Sequence, residues 1–439
     1  MSFTSINFLY FLIAFIAVYF ICPAKYRRYI LILSGLIFTA FNSIYGLIVL
    51  AVVTLINFLF ARWIVNQYNP LNCAKFVAFL NLTALIVFKA VNIMPVGFSF
   101  YTFGFISYVI DVGRKEIAPE KNIVKFSSYA FFFPKLLMGP ITRYKEVSDN
   151  LDDLRIDLKR VQYGLESFAL GFIIKVLIAD KLAILPHELL KIGYESISTP
   201  LAWLGMFGYT LQLYMDWIAY TSMAIGIASL VGVTLPENFD NPFMAHTVSE
   251  FYRRWHITLM RFFKDYVYIP LGGNRKGVFR TIRNILIVWL LTGLWHGFSV
   301  NYVLWGLSLG IIVVLDRLFL RKAFDKAKVL GHIFVIFYIP FTFLTFMIGD
   351  LNSLVLYITR LFPMLTGYVA EFPNDYVEYL KSFAPYLIGG IIFCLPYPNM
   401  LLHKYGRKWI VSIIISVVFY FAVFEVIRNG NNPFMYLNF

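Results

Sequence analysis

FYRRWHITLMRFFKDYVYIPLGGNR, Phe251 to Arg275, is followed shortly by LTGLWHG, Leu291 to Gly297. Together they place His256, His296 and a dense basic patch inside a chain that is otherwise apolar. Almost everything on either side of them has the pattern of membrane helix. The expected molecule is a membrane vessel built around the two histidines.

Composition points the same way. Of 439 residues, 60% are hydrophobic, 19% aromatic and only 14% charged, and the mean hydropathy is +0.72. A soluble globule carries about 25% charged residues, so the missing charge implies an outer surface that faces lipid. Soluble cores rarely grow this large, which favours one polytopic membrane domain over residues 1–439. The net charge of +14 does not call for nucleic acid, because Lys and Arg collect in cytoplasmic loops and meet anionic headgroups. Membrane lipids are therefore an expected partner, and no nucleic-acid motif or basic tail is present. Cys22, Cys73 and Cys394 are isolated, without metal-ligand spacing, and are read as apolar fillers. The N-terminus lacks a basic leader and a small-residue cleavage site, so Asn7–Cys22 is expected to stay as a first span.

The apolar runs are Asn7–Cys22, Ile30–Phe41, Leu47–Phe60, Phe76–Val91, Val96–Val112, Phe168–Ile184, Leu201–Val233, Ile285–Leu315, His332–Ile348, Tyr386–Leu395 and Trp409–Val426. A spanning helix needs roughly 20 apolar residues. Several runs are shorter, which predicts tilted, broken or re-entrant helices, while Leu201–Val233 and Ile285–Leu315 are long enough to be helix pairs. Four basic clusters set the orientation: Lys25–Arg28, Arg114–Lys125, Arg317–Lys328 and Lys404–Lys408. The positive-inside rule puts them in the cytoplasm and both termini outside. Leu351–Pro363 then becomes an interfacial or re-entrant piece, with Glu371, Asp375 and Glu378 outside. Within the polar region 113–165 lies FFFPKLLMGPITRY, Phe131 to Tyr144. Its Pro134, Gly139 and Pro140 break a short apolar run, as in a cytoplasmic re-entrant element. There is no internal repeat.

At helical spacing Tyr252, Trp255, Leu259, Phe262 and Tyr266 share one face, and Glu250, Arg254, Thr258, Arg261 and Asp265 share the opposite one. This predicts an amphipathic helix at the cytoplasmic boundary, with His256 at the edge of its apolar arc, between a dry wall and a polar lumen. Arg253, Arg254, Arg261, Lys264, Arg275 and Lys276 would attract an anionic, phosphate-bearing donor. For any one of them, headgroup binding is the plainer alternative. The run Ile285–Trp295 is too short to span and is interrupted at Gly293, His296 and Gly297, so His296 is expected at a bend inside the bilayer. An ionisable group there is costly unless it lines a cavity; the plain alternative is a neutral histidine bonded to a carbonyl. An imidazole of ordinary pKa near 6.5 can accept a proton from a hydroxyl that attacks a thioester. No GxSxG, HExxH, Walker loop or carboxylate pair is present, and LGGN (Leu271–Asn274) is weak as a phosphate loop. Acyl transfer with a histidine base suits this inventory better than phosphoryl transfer or metal hydrolysis.

At this point the residues resemble a known family, the membrane-bound O-acyltransferases, in the branch of the alginate and peptidoglycan O-acetyltransferases. The resemblance is carried by VGFSFYTFGFISYVIDVGR (Val96–Arg114), FFFPKLLMGPITRY, LQLYMDWIAYTSMAIGIASLVGVTLPENFDNPF (Leu211–Phe243), RRWHITL, DYVYIPLGGNR and LTGLWHG, in that order. One departure is Ile218-Ala219-Tyr220-Thr221-Ser222, where relatives usually show Ser-Gly-Tyr-Ser-Asp. The carboxylate expected at Ser222 is absent. The resemblance implies an all-α ring of about 11–12 transmembrane helices, with re-entrant and amphipathic helices around a central funnel. It maps the active-site histidine on His296 and the second on His256, within a catalytic region 235–298.

It further implies an acetyl group taken from a cytoplasmic thioester, acetyl-coenzyme A or an acyl carrier, with no tightly bound cofactor and no metal. The group crosses the bacterial inner membrane to a periplasmic SGNH-type partner that esterifies polysaccharide hydroxyls. Region 409–439 would be a last helix with an external aromatic tail, FMYLNF, Phe434 to Phe439. Its Tyr436 is then a transient acyl acceptor, against the plain alternative of an interface anchor. Transfer of D-alanine to a cell-wall polymer, or proton-coupled transport of an acyl carrier, stays open as an alternative.

Overall fold

In a bilayer every backbone N–H and C=O must be satisfied within the chain, which leaves helix as the form open to these apolar runs. The computed structural model describes residues 1–398, 400, 406, 408–430, 434 and 435. Among them are helices and loops, with one isolated bridge between Phe239 and Trp255 and no strand. Seven helices are long and apolar enough to cross a membrane: Ile44–Ile64, Pro70–Ala90, Val278–His296, Val300–Lys326, Lys328–Met347, Tyr376–Cys394 and Trp409–Asn429. Ile6–Ile21 and Phe98–Gly113 are apolar but shorter. The chain is an all-helical, multi-pass membrane protein.

Its contacts divide into two compact units. The first comprises Met1–Phe172, Tyr220–Asn238 and Gly406–Asn438; the second is chiefly Ile173–Ala219 and Phe239–Tyr405.

In the first unit the helix ends follow local chemistry. Ser43 closes the helix Arg27–Asn42 and opens Ile44–Ile64, its hydroxyl accepting from Gly46 N at 2.9 Å. Asn69 caps Pro70–Ala90, with Pro70 in the first turn, where its missing N–H costs nothing. Asn57 and Asn81 exchange amide hydrogen bonds of 3.1 and 3.0 Å, which joins two lipid-facing helices by a buried polar pair. Phe98–Gly113 is buried on every face, as expected of a helix with no polar side.

FFFPKLLMGPITRY has a three-residue helical turn, Phe133–Lys135, before Tyr144 opens the helix Tyr144–Asp152, and all of the stretch is buried. Its Phe133 ring lies 5.3–6.3 Å from Phe8, Phe11, Phe15 and Phe38. Two glycines admit this irregular strip: a Cβ at Gly35 would overlap Phe131 O, and one at Gly97 (φ +73°) would overlap Leu136 O. Lys135 is buried with its Nζ 3.1 Å above the centroid of the Tyr129 ring.

The segment Leu201–Val233, whose residues to Ala219 belong to the second unit and from Tyr220 to the first, corrects one expectation. Leu201–Val233 is not a helix pair: a single 32-residue helix runs Thr199–Leu230. Its only proline, Pro200, sits in the first turn, and its glycines serve packing, as where a Cβ at Gly208 would stand 2.6 Å from Leu185 Cδ2. The first part of this helix packs in a core with Leu185, Leu189, Ile197 and Tyr357, and the Tyr357 hydroxyl donates to Ala202 O at 2.7 Å. A π-helical turn, Lys175–Ala179, lies in the second unit. There Lys175 Nζ stands 2.5 Å from Asp180 Oδ1 and 2.8 Å from Asp216 Oδ1, with Lys175 and Asp216 both buried. Ile285–Leu315 does form two helices, Val278–His296 and Val300–Leu315.

Candidate functional site

His296 is the last residue of its helix. Gly297 is extended (φ 174°) and its N–H donates to Gly293 O at 3.2 Å, and the next helix starts at Val300. The helix begins at Val278 and takes in Arg280 and Arg283, so the segment is long enough to span, contrary to the length read from its apolar part alone. Nor does Gly293 interrupt it. Gly293 is where the two helices touch: a Cβ there would overlap Tyr302 O, and one on Gly306 would lie 2.5 Å from Trp289 O. Small residues that let backbones approach are how membrane helices pack closely. Asn301 fixes the far side of the turn, its Nδ2 donating to Ile348 O at 2.8 Å and Gly349 O at 3.1 Å.

The imidazole of His296 is buried, 8% exposed, in an aromatic cage. Ring centroids lie at 4.7 Å for Trp295, 5.0 Å for Trp305, 5.0 Å for Phe346 and 6.1 Å for Tyr302. Trp305 and Phe346 stand edge-on, at 89° and 87°.

His256 sits where the expected amphipathic helix breaks. Thr247 caps Val248–Arg254, and the buried Asp316 carboxylate accepts from Ser249 N at 2.7 Å. Then Trp255 turns extended to pair with Phe239, Asp240 N donates to Arg254 O at 2.9 Å, and His256 adopts φ 46°, ψ 50° before a second helix, Ile257–Phe263. This corrects the continuous helix read from the sequence. The apolar positions keep their burial, but Thr258 joins them, 1% exposed. A non-glycine residue in the left-handed region is strained and persists only where its surroundings impose it; here the Phe239 bridge and the packing of the Trp255 ring against Phe239, Phe251 and Phe343 do so.

Nor does His256 face a polar lumen. It is 3% exposed, with the Trp217 ring 4.4 Å away and the Trp295 ring at 6.1 Å. Neither ring nitrogen has a hydrogen-bond partner among the described residues. Burial pushes the imidazole down to about 3, so it is neutral at physiological pH. The two histidines thus lie against one indole, Trp295, at 6.1 and 4.7 Å.

The cations divide. Arg253, Lys264 and Arg275 are exposed, and Arg261 is half-buried. Arg254 is engaged, its Nη2 donating to Glu250 Oε1 at 2.8 Å. The turn carrying Arg275 is held by buried Asn284, which donates to Leu271 O at 3.3 Å and Gly273 O at 3.0 Å. Tyr436 lies outside the described residues; Phe434, before it, is buried against the Tyr220 ring at 5.1 Å. Sequence reasoning passed over Trp305, Phe346 and the Lys175–Asp216–Asp180 cluster. The first two bear no local mark beyond being aromatic, but a lysine and aspartates within apolar runs were visible.

The chain matches the family model described as MBOAT, membrane-bound O-acyltransferase family, over residues 33–359. It is 35% identical over 334 residues to a probable alginate O-acetylase of Pseudomonas fluorescens, covering 72% of this chain and 66% of that protein. A peptidoglycan O-acetyltransferase of Helicobacter pylori is 27% identical over 398 residues, covering 79% and 75%. A teichoic acid D-alanyltransferase of Streptococcus thermophilus is 29% identical over 243 residues, covering 52% and 57%. The chain thus spans about two thirds of the first relative's length.

Proposed function

The chain belongs to the membrane-bound O-acyltransferase family, and from that premise we propose that it transfers an acyl group, an acetyl in the first instance, from a thioester to a hydroxyl. The observation that carries this is His296: a buried imidazole, caged by rings, at the end of a helix long and apolar enough to span. In the proposed step the imidazole takes the hydroxyl proton as the oxygen attacks the thioester carbonyl, then returns it to the departing thiolate. His256, neutral and also packed against Trp295, helps shape the pocket for the reacting groups.

The donor is acetyl-coenzyme A or an acyl carrier, presented from the cytoplasm. Exposed Arg253, Lys264 and Arg275, with Arg261, supply positive charge for its phosphates. The bacterial relatives favour a bacterial inner membrane, and the basic clusters favour both termini outside. The acetyl then passes, with Tyr436 as transient carrier, to a periplasmic SGNH-type partner that esterifies an alginate-like or peptidoglycan hydroxyl. The names of the first two relatives support this acceptor class. D-alanyl transfer is the second reading, favoured by the Streptococcus relative, whose match covers less of the chain.

The test is alkali-labile acetate on envelope polysaccharide in cells whose own copy of the gene is deleted. His296→Ala should abolish the ester while leaving the protein in the membrane. Tyr436→Phe should do the same. Full ester content in His296→Ala would reject the histidine base, and in Tyr436→Phe the relay.

A further inference from the structure

Trp305 is 4% exposed, and its indole Nε1–H finds no acceptor among the described residues. A buried tryptophan N–H ordinarily finds a partner, because leaving a desolvated donor unsatisfied is unfavourable. Its neighbours are the His296 ring at 5.0 Å and 89°, Phe346 at 5.1 Å, Trp289 at 6.1 Å and Tyr252 at 6.5 Å. The side chain is fixed on its backbone side as well, because Gly306 packs on Trp289 O. The indole that carries this donor, unmatched among the described residues, is therefore held rigidly beside the imidazole to which the base role is given.

A histidine base accounts for only half of the electrostatics of acyl transfer. When the hydroxyl oxygen bonds to the thioester carbon, the C=O π pair moves to the carbonyl oxygen, which gains a full negative charge. That oxygen needs a preorganised donor in a dry site.

We propose that Trp305 is a catalytic residue whose Nε1–H donates to the carbonyl oxygen of the acyl thioester. The inference rests on the acyl-transfer reading with His296 as base. In the step, the hydroxyl O–C bond forms, His296 takes the hydroxyl proton, and the indole N–H holds the oxyanion without transferring its own proton. The pair then returns to re-form C=O, the C–S bond breaks, and the thiolate takes the proton from His296. The products are an ester and a free thiol, with His296 and Trp305 restored.

The experiment uses full-length protein in membrane vesicles, supplied with radiolabelled acetyl-coenzyme A and cytosolic extract. Label appearing in alkali-labile ester is followed as donor concentration is varied. The informative variant carries 3-benzothienylalanine at position 305, which replaces N–H by sulfur and keeps the bicyclic shape; Trp305→Phe is its companion. Loss of one oxyanion donor lowers turnover by about 10²-fold or more. The isostere should therefore lose about that much in rate at saturating donor, with the half-saturating concentration within threefold of the parent and an unchanged melting temperature. A parent-like rate, or a change confined to half-saturation, overturns the proposal. His296→Ala run alongside separates the two failures. If it is inactive while the isostere is fully active, only the role of Trp305 falls. If it keeps the parent's rate, or if the parent transfers no label, the acyl-transfer reading falls and takes this one with it.

Discussion

Gly306→Ala tests whether the contact between the two central helices fixes His296. A methyl on Gly306 would stand 2.5 Å from Trp289 O and 3.3 Å from Gly293 Cα and N, where ordinary contact begins at 3.4 Å. The shortfall is about 0.9 Å, and all three atoms are backbone, so no side chain can swing aside. The helices Val278–His296 and Val300–Leu315 must part by nearly that distance, or one must slide. Overpacking of this kind costs about 1–3 kcal/mol. His296 lies one turn beyond Gly293, and its cage is split between the two helices, Trp295 on one and Tyr302 and Trp305 on the other. A displacement of about 1 Å in a catalytic constellation can cost 10²-fold in rate. Reversible unfolding in mixed micelles should therefore show the 1–3 kcal/mol loss, and ester formation should fall by tenfold or more at full expression. Gly293→Ala should behave alike, because its methyl overlaps Tyr302 O. If Gly306→Ala keeps both the parent's stability and its rate, the hairpin is compliant there and His296 is positioned by other contacts.

Two further outcomes follow from buried charge. Lys175→Met leaves Asp180 and Asp216 without the ammonium now 2.5 and 2.8 Å away. Breaking a buried pair by removing one partner costs about 3–5 kcal/mol, and micelle unfolding of Lys175→Met should show it; a loss below 1 kcal/mol would mean that the cluster is hydrated. His256 gives a pH dependence with a definite sign. Its imidazole is held at about 3 when folded, against an ordinary value near 6.5. Between these the unfolded chain binds the extra proton, so this contribution is complete above about pH 6.5 and is lost as pH falls towards about 3. At about 1.4 kcal/mol per pH unit, the parent should lose roughly 2 kcal/mol more than His256→Gln between pH 7.5 and 5. Equal slopes for the two proteins would show that the ring is reached by water.

The class of the molecule was legible from its apolar runs, because a bilayer permits those runs little other than helix. The broken strip around Pro134 and the split at Gly297 were legible too, because proline and glycine act through local backbone geometry. His296 stood out because an ionisable residue amid apolar sequence is uncommon. The break at His256 was not legible: residues Glu250 to Tyr266 have good helical periodicity, and only pairing with Phe239 forces Trp255 out of it. The same holds for the single helix Thr199–Leu230 and for the start of the histidine helix at Val278. Periodicity and hydropathy report the cost of a residue along its own chain. Which rings enclose His296, which donors find no acceptor among the described residues, and which glycines bring two backbones together depend on neighbours distant in sequence, and those only packing selects.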